Sequence, residues 1–506
     1  MKTTRSSRAK LNSITTLANQ VISTLCGMLI PRMMLGAFGS VLYGATTSIS
    51  RFLSYISLLE SGIGRVARAA LYQPLADRDT EKVSRIFYAI SRFFRYVAAA
   101  FVFYTIILAF FYFDIANVQG ISRQYIFFLV IAISLSTVVD YLFGISSITL
   151  LNADQRKYVT NTAIIATRIL NTLLVLILIN MGSGIILVKL GSSIVIILRP
   201  VFLSWYVKKH YTLLKPERKV EALPQKWTGM AQHIAYFIHT NTDVVLLTIF
   251  SDLSIVAVYA VYSLITVSIK NIIFSLAGGM EAELGDMYAR GEQNNLTAAY
   301  RRYHFIISMS TILFFGVTSA MIVPFVRLYT AGITDADYFQ PVFALLLILG
   351  EVGNCLALPC STLAVSCNEL KRTQWGSFGE AIINIGFSCL LIGWNPLLGV
   401  SAGTLIAEVF KLIYYSGYAS KKLTRISVVR DLLMDTLTFL SVCAFGLISG
   451  RLFLLVHIHN FFEWTLYAAV TALAALGVAL LIGGTCYSSE WKTMVKKIKE
   501  TCLRRI

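Results

Sequence analysis

The stretch His233–Asp252, "HIAYFIHTNTDVVLLTIFSD", holds an aspartate, Asp243, inside an otherwise apolar run. Runs of about 20 such residues cross the hydrocarbon core of a bilayer. A carboxylate at the centre of a bilayer helix costs roughly 2.5–3.5 kcal/mol on insertion scales. The fold turns on whether this run is a membrane span, and the rest of the chain answers. Fourteen comparable runs recur, near 11–36, 39–61, 96–115, 124–150, 158–180, 184–206, 229–251, 255–277, 304–330, 339–366, 374–394, 396–417, 432–456 and 462–485. Only 14% of the 506 residues are charged and 56% are hydrophobic, whereas soluble domains carry about a quarter charged residues. The chain reads as an all-α polytopic membrane protein with about 14 transmembrane helices.

The formal net charge of +18 raises the question of nucleic acid, and its placement argues against it. With Lys2, Arg5, Arg8 and Lys10 on the cytoplasmic side, alternation puts 34 of the 44 Lys and Arg in cytoplasmic segments. Arg32, Arg123, Arg327 and Arg451 fall at the outer side, and six more lie within spans. That is the positive-inside asymmetry of a protein in the inner (cytoplasmic) membrane with both termini cytoplasmic. The basic stretches "SWYVKKHYTLLKPERKVEALPQK" (204–226) and "WKTMVKKIKETCLRRI" (491–506) then serve as topology signals beside anionic lipid, and no nucleic-acid partner is expected. The eight cysteines fall in spans or on the inner side, so no disulfide framework follows. Cys355 and Cys360 have no histidine nearby for a metal site. The N-terminal run is too long and polar for a secretory signal and is expected to remain as the first span.

Weak internal similarities divide the chain. "LNADQRKYVTNTAI" after the fourth run and "SCNELKRTQWGSFGEAI" after the tenth are acidic-then-basic turns about 215 residues apart. Tyr43 precedes Arg51 by eight residues, as Tyr262 precedes Lys270. Amphipathic cytoplasmic segments follow both the second and the eighth run. These matches predict two six-helix lobes related by a parallel repeat plus two extra C-terminal helices. The expected boundaries are an N-terminal lobe at 1–207, a basic connection at 208–228, a second lobe at 229–417, the extra helices at 418–486 and a basic tail at 487–506. Outer loops are short, and Walker A and HExxH signatures are absent from the sequence. An enzyme is not expected, nor a metal or cofactor beyond coupled Na⁺ or H⁺.

Polar residues recur at helical spacing inside the spans. Gln232, Tyr236, His239, Thr240 and Asp243 share one face of span 7, and Tyr259, Tyr262, Ser263, Thr266 and Lys270 one face of span 8. In span 2 the face is Tyr43, Thr47, Ser50, Arg51, Ser54 and Ser61; span 1 adds Thr16, Asn19, Gln20 and Ser23. Such stripes line a wet cavity or hydrogen-bond between helices. Arg51 and Arg168 in the first half, with Lys270, Tyr43 and Tyr262, suit an anionic, phosphorylated substrate. Lys189, Arg199 and Lys411 either join them or snorkel to an interface. In the second half Asp243, Glu380 and Asn384, the last two i, i+4 on span 11, could form an oxygen-rich cation site with Thr404. The alternative is a structural ion pair at Asp243. Asn19, Gln20, His239 and Glu351 complete the polar lining.

The stretches "LGAFGSVLYGATTSISRFLSYISLLESGIG" (35–64) and "TDVVLLTIFSDLSIVAVYAVYSLI" (242–265) resemble the span 1–2 and span 7–8 regions of polysaccharide flippases. These belong to the multidrug/oligosaccharidyl-lipid/polysaccharide exporter superfamily. The turns "LNADQRKY" and "CNELKRTQ" match its habit after spans 4 and 10. The resemblance runs over nearly the whole chain, through loose and mostly apolar motifs. It implies two lobes alternating between inward- and outward-open states. It also implies an undecaprenyl-diphosphate-linked oligosaccharide as substrate, with Arg51 at the basic span-2 position that handles the diphosphate. Asp243, with Glu380 and Asn384, falls near the second-lobe cation region of relatives; the residue at 380 is Glu here rather than Asp. Expected partners are the lipid-linked oligosaccharide, membrane lipids and other polysaccharide assembly proteins. The first alternative is a multidrug or organic-cation antiporter of the same superfamily. A membrane glycosyltransferase or O-antigen polymerase is the weaker one.

Overall fold

In lipid every backbone N–H and C=O must be paired within the chain, which leaves helices as the way to use long apolar runs of this kind. The structure, a computed structural model, describes residues 5–60, 63–214, 230–424, 426–453, 458–488 and 490–491, and every regular element among them is helical. Most of the basic connection and tail, and the side chains of Gln232, Tyr236 and His239, lie outside the described residues.

The first half contains α1 (Arg5–Ser54), α2 (Ile63–Ala76), α3 (Thr80–Ile115), α4 (Arg123–Val139), α5 (Ile145–Ala153), α6 (Lys157–Asn180) and α7 (Ile185–His210). The second contains α8 (Met230–Phe250), α9 (Leu253–Leu276), α10 (Met280–Ala289), α11 (Gln293–Tyr329), α12 (Pro341–Ser366), α13 (Leu370–Leu391) and α14 (Pro396–Tyr418). Two more follow, α15 (Val428–Phe453) and α16 (Phe461–Cys486). Helix α1 carries both of the first two expected spans and breaks between them at Gly39 (φ 77°, ψ 175°), a backbone state open to glycine. A single π-turn, Asp140–Gly144, joins α4 to α5. The amphipathic segments expected after the second and eighth runs are α2 and α10.

Helix starts follow capping chemistry. Asn395 accepts from the Leu398 N–H just before Pro396 opens α14. Asn460 and Glu463 form a reciprocal box at α16: Asn460 Oδ1 accepts the Glu463 N–H at 2.8 Å, and Glu463 accepts the His459 N–H at 2.8 Å. Among the described residues, eleven helical stretches are long and apolar enough to cross a membrane, with α1 counted as one of them. The expected runs at 229–251 and 374–394 are not among these. Polar residues dilute α13, and the qualifying part of α8 is the short stretch Thr240–Phe250.

Two compact units result, Met1–Phe237 with Ser251–Ala257, and Ile238–Phe250 with Val258–Ile506. In unit 1, α1 packs on α6, α6 on α7, and α4 on both α3 and α7. In unit 2, α14 packs against α12 and α13, while α11 lies against α12, α15 and α16. Outward faces are apolar, as at Leu17, Phe103, Phe110, Leu198 and Leu473, all exposed, while hydroxyls and charges turn inward. That inversion is what lipid as the solvent demands.

The α13–α14 contact is unusually close. A Cβ on Gly403 would sit 2.2 Å from Ser388 Oγ and 2.7 Å from the Ser388 backbone nitrogen. Small residues at such a crossing let two backbones approach. This approach brings the polar faces of α13 and α14 within hydrogen-bond reach.

Candidate functional site in unit 2

Asp243, the residue that posed the question, is 5% exposed and has partners on α9 and α14. Tyr259 on α9 donates to Asp243 Oδ2 at 2.9 Å. Thr404 on α14 lies 3.1 and 2.9 Å from the two carboxylate oxygens. Its single proton serves one of them at a time, and its oxygen accepts from Asn384 Nδ2 at 2.8 Å. Asn384 on α13 is fully buried, and its Oδ1 has no hydrogen-bond partner. A buried acceptor without a donor is costly unless something fills the role. With a carboxylate, two hydroxyls and an amide oxygen nearby, the donor set is all oxygen, the chemistry of a hard cation or a proton. These residues fit such an occupant.

One helical turn further along both helices, about 6 Å, a second cluster forms. Lys411 Nζ lies 3.2 Å from Glu380, 3.3 Å from Glu408 and 3.5 Å from Asn354 Oδ1. Glu380 was expected beside Asp243; its recorded partner is Lys411, because the longer side chain reaches the next turn of α14. Lys411 itself is buried between two carboxylates and does not snorkel. Lys270, expected among the anion-binding bases, pairs with Glu351 at 2.8 Å. Tyr262 is fully buried, donating to the Tyr338 carbonyl at 2.7 Å. It ties α9 to the chain before α12 and does not open into a cavity.

Within this network four carboxylates (Asp243, Glu351, Glu380, Glu408) face two lysines (Lys270, Lys411). A carboxylate is tolerated at low dielectric only where cations, protons or hydrogen-bond donors compensate it.

In unit 1 the charges are arranged differently. Arg199 pairs with Asp140 of the π-turn. Arg51 and Tyr43 on α1 are half-buried, Arg168 on α6 is exposed, Asn19 is half-buried and Gln20 exposed. Lys189 faces a cavity with serines from α1, α4 and α7 around it.

Several partners escaped the sequence reading. Tyr259 was placed on the correct stripe without a role, and the i, i+4, i+7 run Thr404, Glu408, Lys411 on one face of α14 was a usable signal. His304 on α11 contacts Asp435 on α15 at 3.0 Å and Tyr487 at 3.1 Å, a buried cluster that spacing alone did not show.

No family model matches the sequence, and no curated protein matches it either. Among solved structures, "Lipid II flippase MurJ, inward closed conformation" superposes with TM-score 0.64 at 15% identity, covering 95% of this chain and 99% of that one. An inward-facing multidrug resistance MATE family transporter of the MOP superfamily gives TM-score 0.59 at 15% identity, covering 82% and 99%. The eukaryotic MATE transporter AtDTX14 gives 0.58 at 14% identity, covering 86% and 99%. The chain shares the fold of these membrane transporters.

Proposed function

We propose that this protein flips an undecaprenyl-diphosphate-linked oligosaccharide across the cytoplasmic membrane by alternating access, driven by a H⁺ or Na⁺ gradient acting at Asp243. The observation that carries the reading is the buried oxygen-rich set of unit 2 centred on Asp243, with Thr404, Tyr259 and the unsatisfied Oδ1 of Asn384 around it. A coupling ion shifts a two-state equilibrium only by its difference in affinity for the two states. A site whose charge balance changes by one on binding supplies that difference. Glu380, in this reading, tunes the Asp243 site through Lys411. Arg51, Arg168 and Tyr43 in unit 1 supply the chemistry for a diphosphate, which arginine's forked donors suit. The lipid-flippase structure also matches more of this chain than the MATE structures do, 95% against 82% and 86%, a margin about the size of the α15–α16 segment. Partners would be the lipid-linked sugar, membrane lipid and other polysaccharide assembly proteins, with both termini cytoplasmic.

A multidrug antiporter is the second reading, and the buried carboxylate of Asp243 favours it, since such groups also attract organic cations. Proteoliposomes holding a fluorescent undecaprenyl-diphosphate oligosaccharide separate the two. Leaflet exchange is expected in the wild type, reduced at least tenfold in Arg51→Ala and insensitive to Na⁺ and pH gradients in Asp243→Asn. Ethidium efflux without lipid exchange, unaffected by Arg51→Ala, would establish the antiporter instead.

A further inference from the structure

Unit 1 contains a cavity of about 480 Å³, walled by α1, α4, α6, α7 and the π-turn. Its size falls within the roughly 300–1,000 Å³ of small-molecule sites. The cavity's one basic side chain is Lys189, just over a turn into α7. Asp140, the nearest acid in sequence to the cavity wall, is engaged by Arg199. Among the described residues Lys189 has no ion pair and no hydrogen bond.

The hydroxyls around it divide into two sets. Ser50, Ser54 and Ser193 donate to backbone carbonyls. Ser57, Ser136, Thr137 and Ser192 make no side-chain hydrogen bond among the described residues, so their protons are available to the cavity. An ammonium without a counter-charge is costly inside a bundle surrounded by lipid, and an anion in the cavity removes that cost. Lysine is a point charge with three rotatable donors and a common phosphate ligand, able to meet acceptors in several directions. Hydroxyl donors arriving from three different wall segments suit an oxyanion with acceptors in several directions.

We propose that this cavity, with Lys189 as its base and Ser57, Ser136, Thr137 and Ser192 as hydroxyl donors, binds an anion of the phosphate or diphosphate class. The site shares no residue with the Asp243 cluster, and its occupancy is measured at equilibrium, with no transport step. Failure of the flippase reading therefore leaves it standing, and the reverse also holds.

The test is calorimetric titration of the full chain, in nanodiscs of neutral lipid, with inorganic pyrophosphate and with farnesyl diphosphate. Binding is expected in the wild type, about tenfold or more weaker in Lys189→Gln and several-fold weaker in Thr137→Val. Tighter binding of farnesyl diphosphate identifies a lipid headgroup as the ligand; equal binding identifies a soluble anion. Either supports the site. A second readout guards against misfolded variants. Ser192→Cys is labelled with an anionic methanethiosulfonate and read by mass spectrometry of the peptide carrying position 192. Pyrophosphate should protect it, and protection should disappear when Lys189→Gln is added. Equal affinity in wild type and Lys189→Gln, absence of binding by both probes, or absence of protection at position 192 would overturn the proposal.

Discussion

At the scale of single residues, Asn384 is the side chain whose role is most exposed to test. Its Nδ2 holds Thr404, and its Oδ1 has nothing to accept in a fully buried position. If Oδ1 completes a cation site, Asn384→Asp adds charge at the place an ion would sit, and Asn384→Leu removes an acceptor while keeping much of the volume. Asn384→Leu is expected to raise the Na⁺ or H⁺ concentration giving half-maximal gradient-driven exchange about tenfold, with little loss of folded protein. The stability part of that expectation has a physical basis: losing a buried acceptor that has no donor offsets the lost hydrogen bond to Thr404. Ion dependence identical to wild type would leave Asn384 as a Thr404-positioning residue alone. The i, i+4 spacing of Glu380 and Asn384 was legible, because helical period puts them on one face. Their separate partners were not, because side-chain reach across to α14 is not a property of spacing.

At the scale of elements, the site depends on how closely α13 and α14 approach. Gly403 lies one residue before Thr404, against the backbone of Ser388, one turn from Asn384. A side chain there cannot be met by a rotamer change, since the Cβ itself would overlap a backbone nitrogen at 2.7 Å. Gly403→Val should therefore push the helices apart, costing about 1–3 kcal/mol in overpacking. It should also lengthen the Asn384–Thr404–Asp243 chain, so that ion coupling is lost before folding is. Gly386, where a Cβ meets nothing within 4 Å, is the control, and Gly386→Ala should behave as wild type in both assays. The measurements are the thermal midpoint in detergent and gradient-driven exchange in proteoliposomes. A Gly403→Val protein with normal coupling would separate the crossing from the site. The π-turn at Asp140–Gly144 makes the same point about elements. Hydropathy carries straight through it, and only the partner, Arg199 on α7, shows why the extra residue is accommodated.

At the scale of the whole molecule, most of the architecture was readable because lipid imposes a simple rule, long apolar runs that must be helices. The rule weakened at α13, where polar residues dilute the run and it falls short in apolarity. The basic tone of the first half and the acidic tone of the second were visible in order along the chain; the pairings Lys270–Glu351 and Lys411–Glu380 were not. The two extra C-terminal helices, α15 and α16, both pack against α11 within unit 2. His304 of α11 and Asp435 of α15 meet at 3.0 Å with side chains 3% and 2% exposed, and Tyr487, just past α16, closes on the other ring nitrogen. Removing one member of a buried pair strands the other, at about 3–5 kcal/mol, whereas removing both restores a matched apolar contact. Asp435→Leu and His304→Leu should each lower the thermal midpoint by several degrees. The double variant should recover most of the loss, because the coupling resides in the pair. Additive losses would mean that α15 is held by its apolar face alone, and that the His304 cluster contributes nothing to docking it.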